Sequence, residues 1–136
     1  MKNVSLFDAS SLIHAIKIGQ LSLIYNNYVQ WLTIYEIINA IWKEANITKS
    51  ISAEEATKIV EIISDALRFT KILTPQQQEK QILTIATTLK ITAYDASYIA
   101  LAKKHNLTLI TEDKQLKTKA EKLIQTKTIS ELIKSK

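Results

Sequence analysis

The fold is decided at residues 4–12, which read VSLFDASSL. A short apolar run stops at Asp8, and small polar residues then lead into a helical pattern. This pattern predicts a buried strand that ends at Asp8, followed by a helix with Ser10 or Ser11 as its cap. In open α/β sheets the working site lies just outside the carboxyl ends of the strands. We therefore expect Asp8 to stand at the functional edge of a sheet.

The composition is that of a folded domain. Hydrophobic residues make up 46% of the 136 residues, which excludes an intrinsically disordered chain and allows a substantial core. We predict a single domain over residues 1–136. One Gly and one Pro favour long helices with short connections, and the absence of Cys excludes disulfides, thiolate metal sites and cysteine nucleophiles.

The N-terminal sequence and the net charge bear on the cellular location of the protein and on its partners. Asp8 interrupts the N-terminal apolar run before a signal peptide could form, and no apolar stretch reaches the roughly 20 residues that span a bilayer. We expect a cytoplasmic protein outside the membrane. The net charge of +5 fits either an anionic partner such as RNA or a Lys-rich solubilising surface. With Arg68 as the only Arg, bidentate reading of bases is not expected.

Strand and helix patterns alternate along the chain. Strands are predicted at residues 4–7, 28–32, 70–73, 107–111 and 126–128. Helices are predicted at residues 9–18, 33–45, 52–69, 75–89, 92–105, 112–124 and 129–134. This alternation is typical of a mainly parallel sheet covered by helices on both faces. Right-handed crossovers then bring the carboxyl ends of the strands to one edge.

Acids that this topology brings to that edge are the candidate functional residues: Asp8, Glu36, Asp95 and Asp113. Each has an ordinary explanation as a helix cap or a first-turn carboxylate, with Glu36 and Asp95 closing capping boxes that begin at Thr33 and Thr92. Together they would repel one another unless a cation lay between them. All the candidate ligands are hard oxygens, which select Mg²⁺ or Mn²⁺, and such ions promote in-line hydrolysis of phosphodiesters.

Four motifs, in this order, resemble those of the PIN-domain ribonucleases. Residues 8–10 read DAS, residues 33–40 read TIYEIINA, residues 92–102 read TAYDASYIALA, and residues 111–116 read TEDKQL. The resemblance covers nearly the whole chain, and the size is similar to that of the VapC-type toxins of toxin–antitoxin pairs.

The resemblance implies a fold, an activity and a set of partners. The fold would be a three-layer α/β/α sandwich with a five-stranded sheet in the order 3-2-1-4-5. The activity would be a Mg²⁺- or Mn²⁺-dependent endoribonuclease inhibited by a cognate antitoxin, and we expect a homodimer. Asp8, Glu36, Asp95 and Asp113 would surround the metal, and Ser10 and Thr111 would support them by hydrogen bonds. Asn39, one turn beyond Glu36, would face the same site.

Other readings of the sequence are weaker. The same fold could serve as an RNA-binding or scaffold module with little turnover. A receiver-type phosphoacceptor needs an adjacent acidic pair after the first strand, and Asp8 stands alone. Phosphatases of the Asp-x-Asp type need a second Asp where this chain has Ser10. Glu112 competes with its neighbour Asp113 as the fourth acid, although adjacent residues on a helix point in different directions.

Overall fold

The computed structural model describes residues 4–136. Its five strands form one sheet in which every pair of neighbours is parallel. They are β1 (Ser5–Phe7), β2 (Tyr28–Gln30), β3 (Lys71–Leu73), β4 (Thr108–Ile110) and β5 (Thr126–Lys127). The strand order is β3-β2-β1-β4-β5, as the resemblance implied.

Seven α-helices surround the sheet in the described part of the chain: α1 (Ala9–Lys17), α2 (Trp31–Asn46), α3 (Ala53–Leu67), α4 (Glu79–Leu89), α5 (Ala93–His105), α6 (Lys114–Ala120) and α7 (Ile129–Lys134). A 3₁₀ turn, Leu21–Ile24, separates α1 from β2. No helix within residues 4–136 combines the length and the apolarity that crossing a membrane would require.

Each face of the sheet packs on its own hydrophobic core. Leu6 and Leu109 lie in a cluster with buried side chains of α4, α5 and α6. Their neighbours Phe7 and Ile110 lie in a second cluster, with side chains of α1, α2, α3 and α7. Successive residues of a strand point to opposite faces, so β1, β2 and β4 each supply both cores. The molecule is therefore the three-layer α/β/α sandwich that the sequence predicts.

The start of α2 differs from the prediction. Trp31 and Leu32 were expected in β2, but the strand ends at Gln30 and α2 begins at once. The hydroxyl of Thr33 accepts a 3.1 Å hydrogen bond from the backbone N–H of Gln30. The capping box of Thr33 with Glu36 is therefore wrong, because Thr33 already occupies the third helical position. Glu36 lies in the second turn, where its carboxylate has no capping role.

Two other helix starts differ from the prediction. Asp8 caps α1 in place of Ser10 or Ser11, since its carboxylate accepts from the backbone N–H of Ser11. Pro75 does not open α4, which begins at Glu79 after a turn in which Gln77 has a φ of 69°. At other boundaries the sequence was right. Ser52 and Glu55 form a reciprocal capping box, and Asn106 ends α5 in the left-handed conformation.

Candidate active site

Asp8 stands at the carboxyl end of β1 and is almost completely buried, with 5% of its surface exposed. Its Oδ1 accepts hydrogen bonds from Ser10 Oγ at 2.8 Å and from the Ser11 backbone N–H at 2.9 Å, and its Oδ2 accepts one from Thr111 Oγ1. Burial raises the pKa of the Asp8 carboxyl, and these hydrogen bonds oppose that rise. The carboxylate is thus fixed in orientation at the edge of the sheet.

Thr111 and Ser10 join the ends of β1 and β4 beneath this carboxylate. Thr111 Oγ1 accepts from the backbone N–H of Asp113 at 3.1 Å, and Ser10 Oγ accepts from that of Glu112 at 3.0 Å. The two hydroxyl oxygens lie 3.3 Å apart. Both residues therefore contact Asp8 and also shape the loop that carries Asp113.

Glu36 reaches the same edge from the second turn of α2. Tyr98 on α5 donates a 2.6 Å hydrogen bond from its hydroxyl to Glu36 Oε1. Partial burial is the largest cause that raises the pKa of Glu36, and the charges of Asp8 and Asp95 raise it further. The hydrogen bond from Tyr98 lowers this pKa and so opposes the rise. The charges of two other acids therefore act on the carboxylate of Glu36.

Asp95 lies in the first turn of α5, where its backbone N–H donates to the capping hydroxyl of Thr92 at 3.1 Å. Its carboxylate makes no capping bond back to Thr92 within the part of the chain described. Burial raises the pKa of Asp95 most, followed by the charges of Asp113 and Asp8. The capping explanation therefore accounts for Thr92 but not for the carboxylate of Asp95.

Asp113 and its neighbour Glu112 have separate roles. Asp113 caps α6, because its Oδ1 accepts from the backbone N–H groups of Gln115 and Leu116 at 3.0 and 3.1 Å. Glu112 Oε2 accepts instead from the backbone N–H of Ile129 at 2.8 Å, at the start of α7. Of the two adjacent acids, Asp113 is the one whose charge raises the pKa of Asp95.

The predicted acids all lie towards the carboxyl edge of the sheet, each on a different element. The charges of Asp8 and Asp95 raise the pKa of Glu36. Those of Asp113 and Asp8 raise the pKa of Asp95. Among residues 4–136, however, no three Asp, Glu, His or Cys side chains are gathered as a ready-made metal-binding group. The donor set still fits a hard divalent cation, because it consists of carboxylate oxygens whose mutual repulsion a cation would relieve.

Two further residues lie on the helices that carry Glu36 and Asp95. Asn39 lies one turn beyond Glu36 as expected, but it is exposed and its side chain makes no hydrogen bond with the described part of the protein. Tyr98 was not among the residues that the sequence predicted for the site, yet its hydroxyl holds Glu36. The sequence signal was available: Tyr98 follows Asp95 by three residues, which places both on one side of the helix.

Comparison with known proteins agrees with this geometry. The family model of the PIN domain matches residues 4–122. The chain is 34% identical to exonuclease VapC9 of Pyrobaculum aerophilum over 98 residues, which are 72% of this chain and 70% of that relative. It is 31% identical to ribonuclease VapC3 of the same organism over 93 residues, 68% of this chain and 70% of that relative.

Solved structures show the same fold. The crystal structure of PAE2754 from Pyrobaculum aerophilum superposes with a TM-score of 0.81 at 26% identity, covering 98% of this chain and 94% of that one. VapBC-1 from nontypeable Haemophilus influenzae shares the fold at 18% identity, with a TM-score of 0.63 and coverage of 92% and 97%. The strand order, the placement of the acids and the family match lead to one conclusion: the chain belongs to the PIN-domain family, as a VapC-type member.

Proposed function

We propose that the protein is a divalent-metal-dependent endoribonuclease and the toxin of a toxin–antitoxin pair, acting on RNA in the cytoplasm. The observation that carries this proposal is that Asp8, Glu36, Asp95 and Asp113 reach one sheet edge from four different elements, where the charges of Asp8 and Asp95 raise the pKa of Glu36 and those of Asp113 and Asp8 raise the pKa of Asp95. Two curated relatives with nuclease names support the general class of reaction.

The four carboxylates would hold the cation, and their oxygen chemistry suits Mg²⁺ or Mn²⁺. Such ions, when bound, activate water and stabilise charge on the phosphoryl and leaving oxygens. The residues of the chain then orient the site. Ser10 and Thr111 hold Asp8, Tyr98 holds Glu36, and the turn that begins α6 holds Asp113. Hydrolysis in this manner would leave 5′-phosphate and 3′-hydroxyl ends.

The relatives bear both an exonuclease and a ribonuclease name, so the choice of internal cleavage requires its own test. We expect a circular single-stranded RNA to be opened in Mn²⁺, because an endonuclease needs no free end. Shortening of linear RNA from one end, with circular RNA untouched, would instead make the protein an exonuclease.

The assignment of the acids can be tested by replacing Asp8 or Asp95 with Asn and measuring RNA cleavage in Mn²⁺. Each variant should lose at least about a hundredfold in rate, a loss typical of removing a group that stabilises the reacting charge. Glu112→Gln is the matched control, since a Gln oxygen can still accept from Ile129. Cleavage by both Asn variants at the parent rate would rule out this site. RNA binding without cleavage by the parent protein would favour the alternative, a binding or scaffold module.

The partner proposed is an antitoxin, and support comes from structural neighbours that are VapBC complexes. An apolar groove between α2 and α3 offers a surface for one of its helices, lined by Ile38 and Val60 among others. Trp42 stands beside it, half exposed. The product of an adjacent toxin–antitoxin reading frame should block RNA cleavage at a one-to-one ratio, and Trp42→Glu should weaken that block.

A homodimer is also proposed, to be tested by light scattering.

A further inference from the structure

A cleft of about 410 Å³ opens beside two of the four acids. Asp95 and Asp113 line it together with two cations, Lys90 and Lys119. The volume lies within the roughly 300–1,000 Å³ of sites that bind small molecules and cofactors. The cleft therefore places positive charge next to the carboxylates, within one opening.

Lys119 has an anchoring role that leaves it one free donor. Its Nζ donates to the backbone carbonyls of Leu89 at 3.0 Å and of Lys90 at 3.4 Å, where α4 ends. An ammonium carries three N–H donors, and these two carbonyls use two of them. The remaining donor belongs to a side chain that is partly buried and already held in place, so binding an anion would cost little further side-chain entropy.

Neither cation of the cleft is paired with an acid in the part of the chain that the structure describes. Within residues 4–136 the lysines that form ion pairs are Lys17, Lys58 and Lys117. Lys90 and Lys119 thus line the same opening as Asp95 and Asp113 without neutralising them. Ile91 and Leu116 add an apolar lining. Unpaired cations beside an apolar side chain suit a nucleotide unit, with its phosphate on the lysines and its sugar or base against the partly exposed Ile91, since Leu116 is almost wholly buried.

We propose that this cleft binds the phosphate next to the scissile bond of a single-stranded RNA, with Lys119 as the principal contact and Lys90 as the second. The inference rests on the proposed ribonuclease function, and it names the charged side chains that position the RNA strand. Lys119 acts here as a substrate-positioning residue, and the carboxylates remain responsible for the reaction.

The proposal can be tested with substrates that differ by one phosphate. A dinucleoside monophosphate carries only the scissile phosphate, whereas a trinucleoside diphosphate carries a neighbour as well. We expect Lys119→Gln to lower kcat/KM for the trinucleotide about five- to tenfold, mostly through KM, as for losing one charge-assisted hydrogen bond at a partly solvated site. The same variant should cleave the dinucleotide at the parent rate. Lys119→Arg, which keeps the charge, should behave as the parent protein.

A binding measurement separates this inference from the proposed reaction. In an Asp8→Asn background, fluorescence anisotropy with a labelled hexanucleotide RNA gives the salt dependence of affinity. Lys119→Gln should reduce the slope of log affinity against log salt by about 0.7, the value for one phosphate of a single strand. Lys122→Gln is the control; Lys122 lies near the end of α6 and lines a different cavity, with Asn106. The control should leave the slope within error of the parent.

Three results would overturn the proposal: an unchanged salt slope, an unchanged KM for the trinucleotide, or equal losses on both substrates. Equal losses would mean that Lys119 acts only by fastening α6 to the end of α4. Absence of RNA cleavage by the parent protein would instead contradict the proposed function, and the anisotropy measurement would still decide whether the cleft binds phosphate.

Discussion

The hydroxyl of Tyr98 donates a 2.6 Å hydrogen bond to Oε1 of Glu36, joining α5 to α2 across the candidate site. The same hydroxyl lies 2.8 Å from Thr33 Oγ1, which in turn accepts from the backbone N–H of Gln30. Burial and the neighbouring Glu36 raise the pKa of Tyr98 far above its usual range, so the phenol keeps its proton near neutral pH. Glu36 therefore has a permanent donor that fixes its orientation.

Tyr98→Phe should weaken both the site and the fold. Loss of the donor leaves Glu36 free to rotate, so we expect RNA cleavage to fall about tenfold, or about 1.4 kcal/mol. The free energy of unfolding should fall by about 1–2 kcal/mol, because the buried Thr33 hydroxyl also loses a partner. Tyr94→Phe is the control, since Tyr94 is 65% exposed. Equal cleavage by Tyr98→Phe and the parent would show that Glu36 needs no such support.

Thr111→Val should misplace Asp8. Thr111 is fully buried, and its hydroxyl donates to Asp8 Oδ2 while it accepts from the backbone of Asp113. Valine keeps the shape but leaves both partners unsatisfied, which should cost about 1–3 kcal/mol of stability and lower cleavage. Thr118→Val, in which the lost hydroxyl is exposed on α6, should change neither measurement by much. Parent-like denaturation midpoint and cleavage rate for Thr111→Val would refute the support role.

Asp95→Asn should stabilise the metal-free protein at neutral pH. Burial and two neighbouring acids raise the pKa of Asp95 in the folded state. A raised carboxyl pKa contributes stability at pH values below the unfolded pKa of about 3.9, and that contribution is lost as the pH rises through the folded pKa. The half-exposed position screens the effect, so we expect an increase in Tm of about 2 °C at pH 7.5.

The pH dependence checks the cause of that stabilisation. The difference in Tm between Asp95→Asn and the parent should shrink as the pH falls through the folded-state pKa of Asp95, because the folded protein then no longer carries the charge that the substitution removes. A difference that stays constant across this range would point to packing rather than to charge.

Divalent cations should reverse the order of stability. Mn²⁺ bound only by the folded state raises the parent's Tm in proportion to RT ln(1 + [L]/Kd), about 2.7 kcal/mol at a hundred times Kd. Asp95→Asn should gain much less, since one ligand charge is gone. Thermal unfolding with and without Mn²⁺ measures both, and equal gains by the two proteins would exclude Asp95 from the site.

The alternating strand and helix patterns predicted a parallel sheet covered on both faces, and the resemblance to the PIN-domain ribonucleases implied its strand order; the structure has both. The sequence also predicted where Asp8, Asp95 and Asp113 lie along the fold, because each sits beside a strand end or a helix start. It was less successful where short-range signals compete. Residues 28–32 suit a strand by composition, but burial of Gln30 and the Thr33 cap start the helix earlier.

Contacts between distant residues were the part that the sequence could not supply. The spacing of Tyr98 from Asp95 places both on one side of α5, but the bond from Tyr98 to Glu36 spans 62 residues, and no local pattern predicts that partner. The side cleft likewise depends on where the end of α4 meets α6, through the contact of Lys119 with Leu89. Such relationships are set by tertiary packing, so they require coordinates.

The most direct test is a Mn²⁺ titration of the metal-free protein, with free Mn²⁺ followed by electron paramagnetic resonance. We predict that the parent and Glu112→Gln bind Mn²⁺ equally. Four variants should each bind Mn²⁺ at least about tenfold more weakly, a loss of about 1.4 kcal/mol of binding free energy. They are Asp8→Asn, Glu36→Gln, Asp95→Asn and Asp113→Asn. Binding by all four variants with the affinity of the parent would contradict the claim that these carboxylates form one site.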